Sequence, residues 1–257
     1  MLRIALANLR YPESPDDSVA RVVAALGRAD GARIMCFPEC YVPGYRGLGH
    51  APATVDEEWL ERAWARIADA ARAAECAVVL GTERWVGGKL VATALVIDAS
   101  GRGMGFQDKV QIDPAEEGTY EPGRERCVFR LGDVTVGVVI CHEGWRYPET
   151  VRYAARHGAE LVFHPHYSAP ERGTFRPTTF ADPANTFHEK AALCRAAENT
   201  IYFATVNYAT AGSPTTSAVV DPEGVLVASQ PYGEAGVLAM DIDLAKATRL
   251  LAKRCKS

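Results

Sequence analysis

The sequence predicts an α/β protein of layered architecture with mixed sheets. Segments of helical period alternate with short apolar segments rich in β-branched residues. Several of the apolar segments come in pairs separated only by a turn. The alternation argues for helices packed on sheets, and the pairs demand antiparallel neighbours, so the sheets are mixed rather than purely parallel. The chain has 257 residues, 48% hydrophobic and 23% charged, which is ordinary for a globular protein with a substantial core. One domain over residues 1–257 is expected, with 244–257 a short C-terminal tail.

Residues 2–9 read as the first strand. Asp16 and Asp17 open a helix whose Val19, Val22, Val23 and Leu26 share one face. Residues 33–37 form a second strand, followed by a long loop rich in Pro, Gly and Tyr, a type that usually carries function. Thr54 and Glu57 form a capping box for a helix that buries Leu60, Trp64, Ile67, Ala71 and Ala74. Residues 76–81 and 90–98 are strands, the second entered from the Gly87-Gly88 turn. Residues 101–123 read as irregular. Residues 127–131 and 134–140 make a hairpin around Gly132-Asp133, and 148–157 a helix that starts at Pro148. Residues 160–163 are strand and 184–199 helix. Strands at 201–206, 217–220, 225–229 and 236–242 close a count of ten to twelve.

The net charge is −4, without the basic footprint of a nucleic-acid binder. No apolar run reaches the length of a membrane span, and the N-terminus reads as a strand rather than a signal peptide. Seven scattered cysteines with no CxxC pair and no zinc-like spacing read as reduced thiols in a cytoplasmic protein.

Three elements of the chain, each a buried strand or its continuation, end in a reactive residue within a Gly/Pro loop: Glu39, Lys109 and Cys141. Functional groups of layered α/β folds gather beyond strand ends, so these are the candidates for one site. Residues 134–140 are nearly all apolar, as in a strand covered on both faces, and Cys141 stands where it stops. A nucleophile on a sharp strand-to-helix turn projects from the sheet, with the next backbone N–H facing a developing oxyanion. A thiol attacks only as thiolate and needs a base; a carboxylate in a half-dry loop, Glu39, can serve. Lys109 can hold the charge of a tetrahedral intermediate together with the N–H of His142. Each residue also has a plain reading: an inert core thiol, a capping carboxylate, a solvated lysine. His142 is a poor base for its neighbour, because adjacent side chains point apart. His164 and His166 lack a third ligand at metal spacing, so no metal site is expected.

These segments carry a resemblance. FPECYVPGY, QDKVQI and VVICHEGWRYPE, in that order, resemble the signature segments of the nitrilase superfamily, the carbon–nitrogen hydrolases. RAAENTIYFATVN, SAVVDPEGVLVAS and GVLAMDIDL resemble the later segments, so the similarity runs over nearly the whole chain. The resemblance implies an α-β-β-α sandwich and a triad of base Glu39, oxyanion-stabilising Lys109 and nucleophile Cys141. It also implies a second glutamate after the lysine, matched by Glu117 with Glu116 as its neighbouring rival, and a homodimer or higher homo-oligomer paired through helices near the nucleophile. Two departures stand out: Arg146 lies five rather than four after the cysteine, and Asp108-Lys109-Val110-Gln111 replaces the common Arg-Lys-x-His.

The expected activity is therefore hydrolysis of a small amide or N-carbamoyl compound through a thioester, with no metal or organic cofactor. The partner is a small-molecule substrate, neither nucleic acid nor membrane. A nitrilase, or a non-catalytic binding protein on the same fold, is the alternative. Tyr45, His142, Trp145, His166 and Tyr167 are candidate pocket residues, and Arg172 and Arg176 candidate carboxylate binders.

Overall fold

The computed structural model describes residues 1–170 and 175–256. Twelve strands form two six-stranded sheets. The first contains β1 (Leu2–Asn8), β2 (Ile34–Cys36), β3 (Ala77–Val86), β4 (Lys89–Ile97), β5 (Gly103–Asp108) and β12 (Gly236–Ile242), in the order β12-β1-β2-β3-β4-β5. The second contains β6 (Val128–Leu131), β7 (Val134–Val138), β8 (Leu161–Pro165), β9 (Tyr202–Val206), β10 (Ala218–Val220) and β11 (Leu226–Ser229), in the order β11-β10-β9-β8-β7-β6. Each sheet has a parallel centre (β1-β2-β3, β7-β8-β9) and antiparallel flanks, so both are mixed.

The side-chain alternation of the strands sorts the core into layers. Leu2, Ile4 and Leu6 face inward and meet Val134, Val136, Val138, Phe163 and Tyr202 of the other sheet. Ala5 and Ala7 face outward, with Met35, Val78 and Leu80, against α1 (Pro15–Leu26) and α2 (Glu57–Ala73). On the far side Val162, Phe203 and Val220 pack against α4 (Pro148–Arg156) and α5 (His188–Ala197). The order is helix, sheet, sheet, helix, which is the sandwich that the resemblance implied.

Some expectations are corrected. The cap of α2 is Asp56, whose carboxylate accepts the N–H of Trp59 at 2.8 Å; Thr54 lies too far upstream. The segment expected to be irregular contains β5, whose sequence GMGFQD has two glycines and no β-branched residue. Pairing with β4, not local propensity, makes it a strand. Helix α5 starts at His188 rather than at residue 184, because the Asn185 side chain bonds the carbonyl of Pro214 and holds the preceding segment out of the helix. The tail after residue 244 carries a 3₁₀ turn, Leu244–Lys246, and α6 (Leu250–Arg254).

One glycine matters for the site. A Cβ on Gly81 of β3 would lie 1.8 Å from the carbonyl oxygen of Pro38. Only glycine lets the loop bearing Glu39 lie directly on the β3 backbone. Among the described residues no helix is long and apolar enough to cross a membrane.

Candidate active site

The site forms where strand ends of both sheets meet. From the first sheet come Glu39, three residues beyond β2, and Lys109, directly after β5. Phe37 N–H donates to Val79, Val42 N–H to Gly81 and the Tyr208 hydroxyl to the Glu39 carbonyl, fixing the first arm. Lys109 N–H donates to Ala92 and its carbonyl accepts from Gly123, fixing the second. From the other sheet comes Cys141, whose N–H donates to Pro165 at 2.9 Å. Its backbone is bent into φ +49°, ψ −112°, a strained geometry for a side-chain-bearing residue and the expected form of a nucleophile turn. A short helix, α3 (His142–Arg146), follows at once.

Lys109 Nζ is the centre of the cluster. It donates to Glu39 Oε1 at 2.7 Å and to Glu116 Oε2 and Oε1 at 2.6 and 2.8 Å. All three side chains are buried, and Cys141 is 7% exposed. The second oxygen of Glu39 accepts the N–H of Tyr167 at 3.2 Å. The tyrosine hydroxyl of Tyr45 donates to Glu116 Oε1 at 2.9 Å, and Asp113 N–H to Oε2 at 3.2 Å. Every acceptor in this buried cluster thus has a donor, as burial of charge requires.

The electrostatics follow from that packing. Burial raises the Glu39 pKa, and the ammonium of Lys109 only partly offsets it, leaving it at about 7. Burial pulls Lys109 downward, but the charges of Glu39, Cys141 and Glu116 outweigh it and hold it above the usual lysine range. Burial and then the Glu39 charge push Cys141 well above an ordinary thiol, with Lys109 opposing. The resting group is therefore a neutral thiol beside a carboxylate poised near neutrality, a combination that needs a base rather than a preformed thiolate.

Glu116, not Glu117, is the glutamate that reaches Lys109. Residues Pro114–Glu116 form a 3₁₀ turn capped by Asp113, and the turn folds the Glu116 carboxylate back toward Asp113 and Lys109. The next residue then points outward, and Glu117 is exposed. Spacing alone offers both residues; the cap decides between them.

A cavity of about 400 Å³ opens over Cys141, with Tyr45, Trp145 and Tyr167 in its walls. Tyr45 and Tyr167 stack at 4.7 Å, and the Tyr167 hydroxyl bonds His50 Nε2 at 2.7 Å. Two expected pocket residues lie elsewhere. His166 is fully buried behind the wall, bonded to the hydroxyls of Thr205 and Thr215 and packed edge-on to Trp145 at 4.8 Å. It faces the interior because β8 continues to Pro165. His142 sits at the rim, its Nδ1 2.8 Å from Asp113 Oδ2, rather than in the cavity lining. His164 instead bonds the Cys141 carbonyl at 2.8 Å, against Gly144, where a Cβ would come within 2.5 Å of the ring. Arg176 packs by Gly212, and Arg172 lies outside the described residues.

Sequence reasoning missed His188, Asp113 and Leu48 in the lining. His188 opens α5, far along the chain, and its Nδ1 bonds the Thr186 hydroxyl at 2.9 Å. No local pattern marks it.

The chain is 28% identical over 239 residues to an (R)-stereoselective amidase of Pseudomonas sp, covering 90% of this chain and 82% of that one. It is 27% identical over 255 residues to a nitrilase of Pyrococcus abyssi, covering 92% and 88%. The fold superimposes on the NitN amidase of Nesterenkonia sp. AN1 with a TM-score of 0.80 at 26% identity, over all of this chain and 97% of that one. In a structure of a variant of that amidase, acrylamide has undergone Michael addition at the active-site cysteine (TM-score 0.78, 26% identity, 95% and 94% coverage). The model of the carbon-nitrogen hydrolase family matches residues 3–250, and with the sandwich fold and the Glu–Lys–Cys cluster at its strand ends the chain belongs to that family of enzymes.

Proposed function

We propose that this hydrolase cleaves small amides with uncharged acyl groups through a thioester on Cys141. The observation that carries the reading is the buried Lys109, clamped between Glu39 and Glu116, with Glu116 and Cys141 both lining the cavity. Glu39 takes the thiol proton as sulfur attacks the carbonyl carbon. Lys109, with the His142 N–H, stabilises the oxyanion. As the C–N bond breaks, Glu39 returns the proton to the departing ammonia or amine, leaving the thioester. Water then enters, Glu39 accepts its proton, and collapse of the second intermediate releases the acid and restores the thiol. Glu116 keeps Lys109 charged and aimed.

The cavity supports the choice of acyl group. Leu48, Ala169, Pro170 and Pro214 join the aromatic walls, and the charged residues lining it are Asp113 and Glu116. Among its described lining residues there is no arginine or lysine. Burial lowers the His188 pKa to about 4, so its imidazole is neutral at pH 7. Among the described lining residues a substrate carboxylate would meet no counter-charge and would face Asp113. Ammonia release is expected from small neutral amides, well above that from N-carbamoyl amino acids; release confined to the carbamoyl compounds would refute this choice. The nitrilase relative supports a second reading, attack of the same thiol on a nitrile, and nitriles in the same assay decide it.

The base assignment has its own check. Glu39 acts only when ionised, so kcat/KM should fall as pH drops through about 7, the value to which burial raises this carboxyl. A rate unchanged between pH 5 and 8 would remove Glu39 as the base.

Pairing of two copies through the helices near the nucleophile belongs to the same reading, in a reducing cytoplasmic setting that the seven free cysteines support. The exposed face of α4 carries a groove lined by Arg152, Tyr153 and Arg156. A strictly monomeric mass in sedimentation would remove the dimer.

A further inference from the structure

Glu143 is a buried carboxylate that the hydrolytic steps leave unused. It is 2% exposed, in α3, two residues after the nucleophile. Three backbone N–H groups converge on it from two separate segments. Val110 and Gln111 donate to its Oε1 at 3.0 and 3.1 Å. Ile140 donates to its Oε2 at 3.1 Å.

Those donors identify what it joins. Ile140 immediately precedes Cys141, beyond β7 in the second sheet. Val110 and Gln111 immediately follow Lys109, beyond β5 in the first. β5 and β6 are edge strands of their own sheets, so no ladder ties the lysine arm to the nucleophile arm. Helix α3 does not depend on Glu143 for its other end, because Arg195 donates to the carbonyls of Gly144 and Trp145 at 3.0 and 2.9 Å.

We propose that Glu143 is a positioning residue for the hydrolysis, its carboxylate pinning the Lys109 arm to the Cys141 turn so that ammonium and sulfur keep their register across the two sheets. This rests on the functional reading above. The chemistry requires a carboxylate, which only accepts, since one oxygen serves each arm. A glutamine of the same size has one acceptor and one donor end. Whichever way it turns, an NH₂ group faces an N–H of one arm, and that arm is released.

The test is Glu143→Gln, read by kcat, KM, circular dichroism and the rate at which iodoacetamide alkylates Cys141. Misplacement of reacting groups by about 1 Å costs on the order of 100-fold. The expected result is a folded variant with kcat lower by about that factor, KM within about three-fold, and Cys141 alkylation slowed in parallel. A folded variant with wild-type kcat and alkylation overturns the assignment. Should the glutamine variant not fold, Glu143→Asp takes its place: the charge stays, but the shorter carboxylate reaches only one arm. The same split between kcat and KM is then expected, and wild-type values overturn the proposal. The wild-type control separates the two readings. If the wild-type protein neither releases ammonia from small amides nor is alkylated at Cys141, the functional reading fails and this one with it. If it is alkylated fast and the variants match it, only the role of Glu143 fails.

Discussion

Cys141→Ala yields a folded protein whose amide hydrolysis is lower by on the order of 10⁴ or more, the scale of losing a nucleophile. The reason is local. Cys141 is the one thiol in the cavity, beside both Glu39 and Lys109, and its removal leaves base and oxyanion donor with nothing to activate. The fold has little stake in the sulfur. Its hydrogen bond to the Tyr167 carbonyl is a long contact, 3.7 Å, and the turn is held by the backbone bond to Pro165 and by His164 on the Cys141 carbonyl. Alanine keeps the Cβ and those bonds. Ammonia release and circular dichroism on the same sample check both halves. Wild-type turnover in the variant would place the nucleophile elsewhere.

Lys109→Met is expected to damage both activity and stability. Methionine fills most of the space but removes the charge that Glu39 and Glu116 share. Stranding buried partners costs about 3–5 kcal/mol of stability, and losing the oxyanion donor costs about 3 kcal/mol or more in the barrier. The stability loss carries a pH signature. Without the ammonium, burial and the neighbouring Glu116 charge raise the Glu39 pKa unopposed in the folded state. Groups with raised folded values favour the folded protein at low pH, and that contribution is lost as pH rises through the folded values. The melting temperature of the variant should therefore lie further below wild type at pH 8 than at pH 5. An equal deficit at both would mean that the carboxylates do not depend on Lys109.

What the sequence disclosed follows from where the determinants lie. Cys141 was legible because the apolar run at 134–140 stops at a reactive residue, and because the signature segments around Glu39, Lys109 and Cys141 are contiguous in the chain. Alternation along residues 2–9 and the apolar run at 134–140 announced strands whose faces build separate core layers. The choice between Glu116 and Glu117 was not legible, since it depends on which way an Asp113-capped turn folds its carboxylate. His166 misled because alternation predicts which face a residue takes, not whether the strand runs on and buries it. His188 reaches the cavity from a segment far along the chain, Glu143 meets donors from another, and no local pattern encodes such meetings. Strand β5 was missed for the same reason: its pairing with β4 overrides a sequence with little strand propensity.

The central claim is a covalent acyl group on Cys141, and intact-protein and peptide mass spectrometry after acid quench during turnover of a small neutral amide tests it most directly. The account predicts one added acyl group, replacing the thiol hydrogen, on the peptide carrying Cys141, and no such adduct in Cys141→Ala. An acyl group on another residue, or steady ammonia release by Cys141→Ala with no adduct at all, would contradict it.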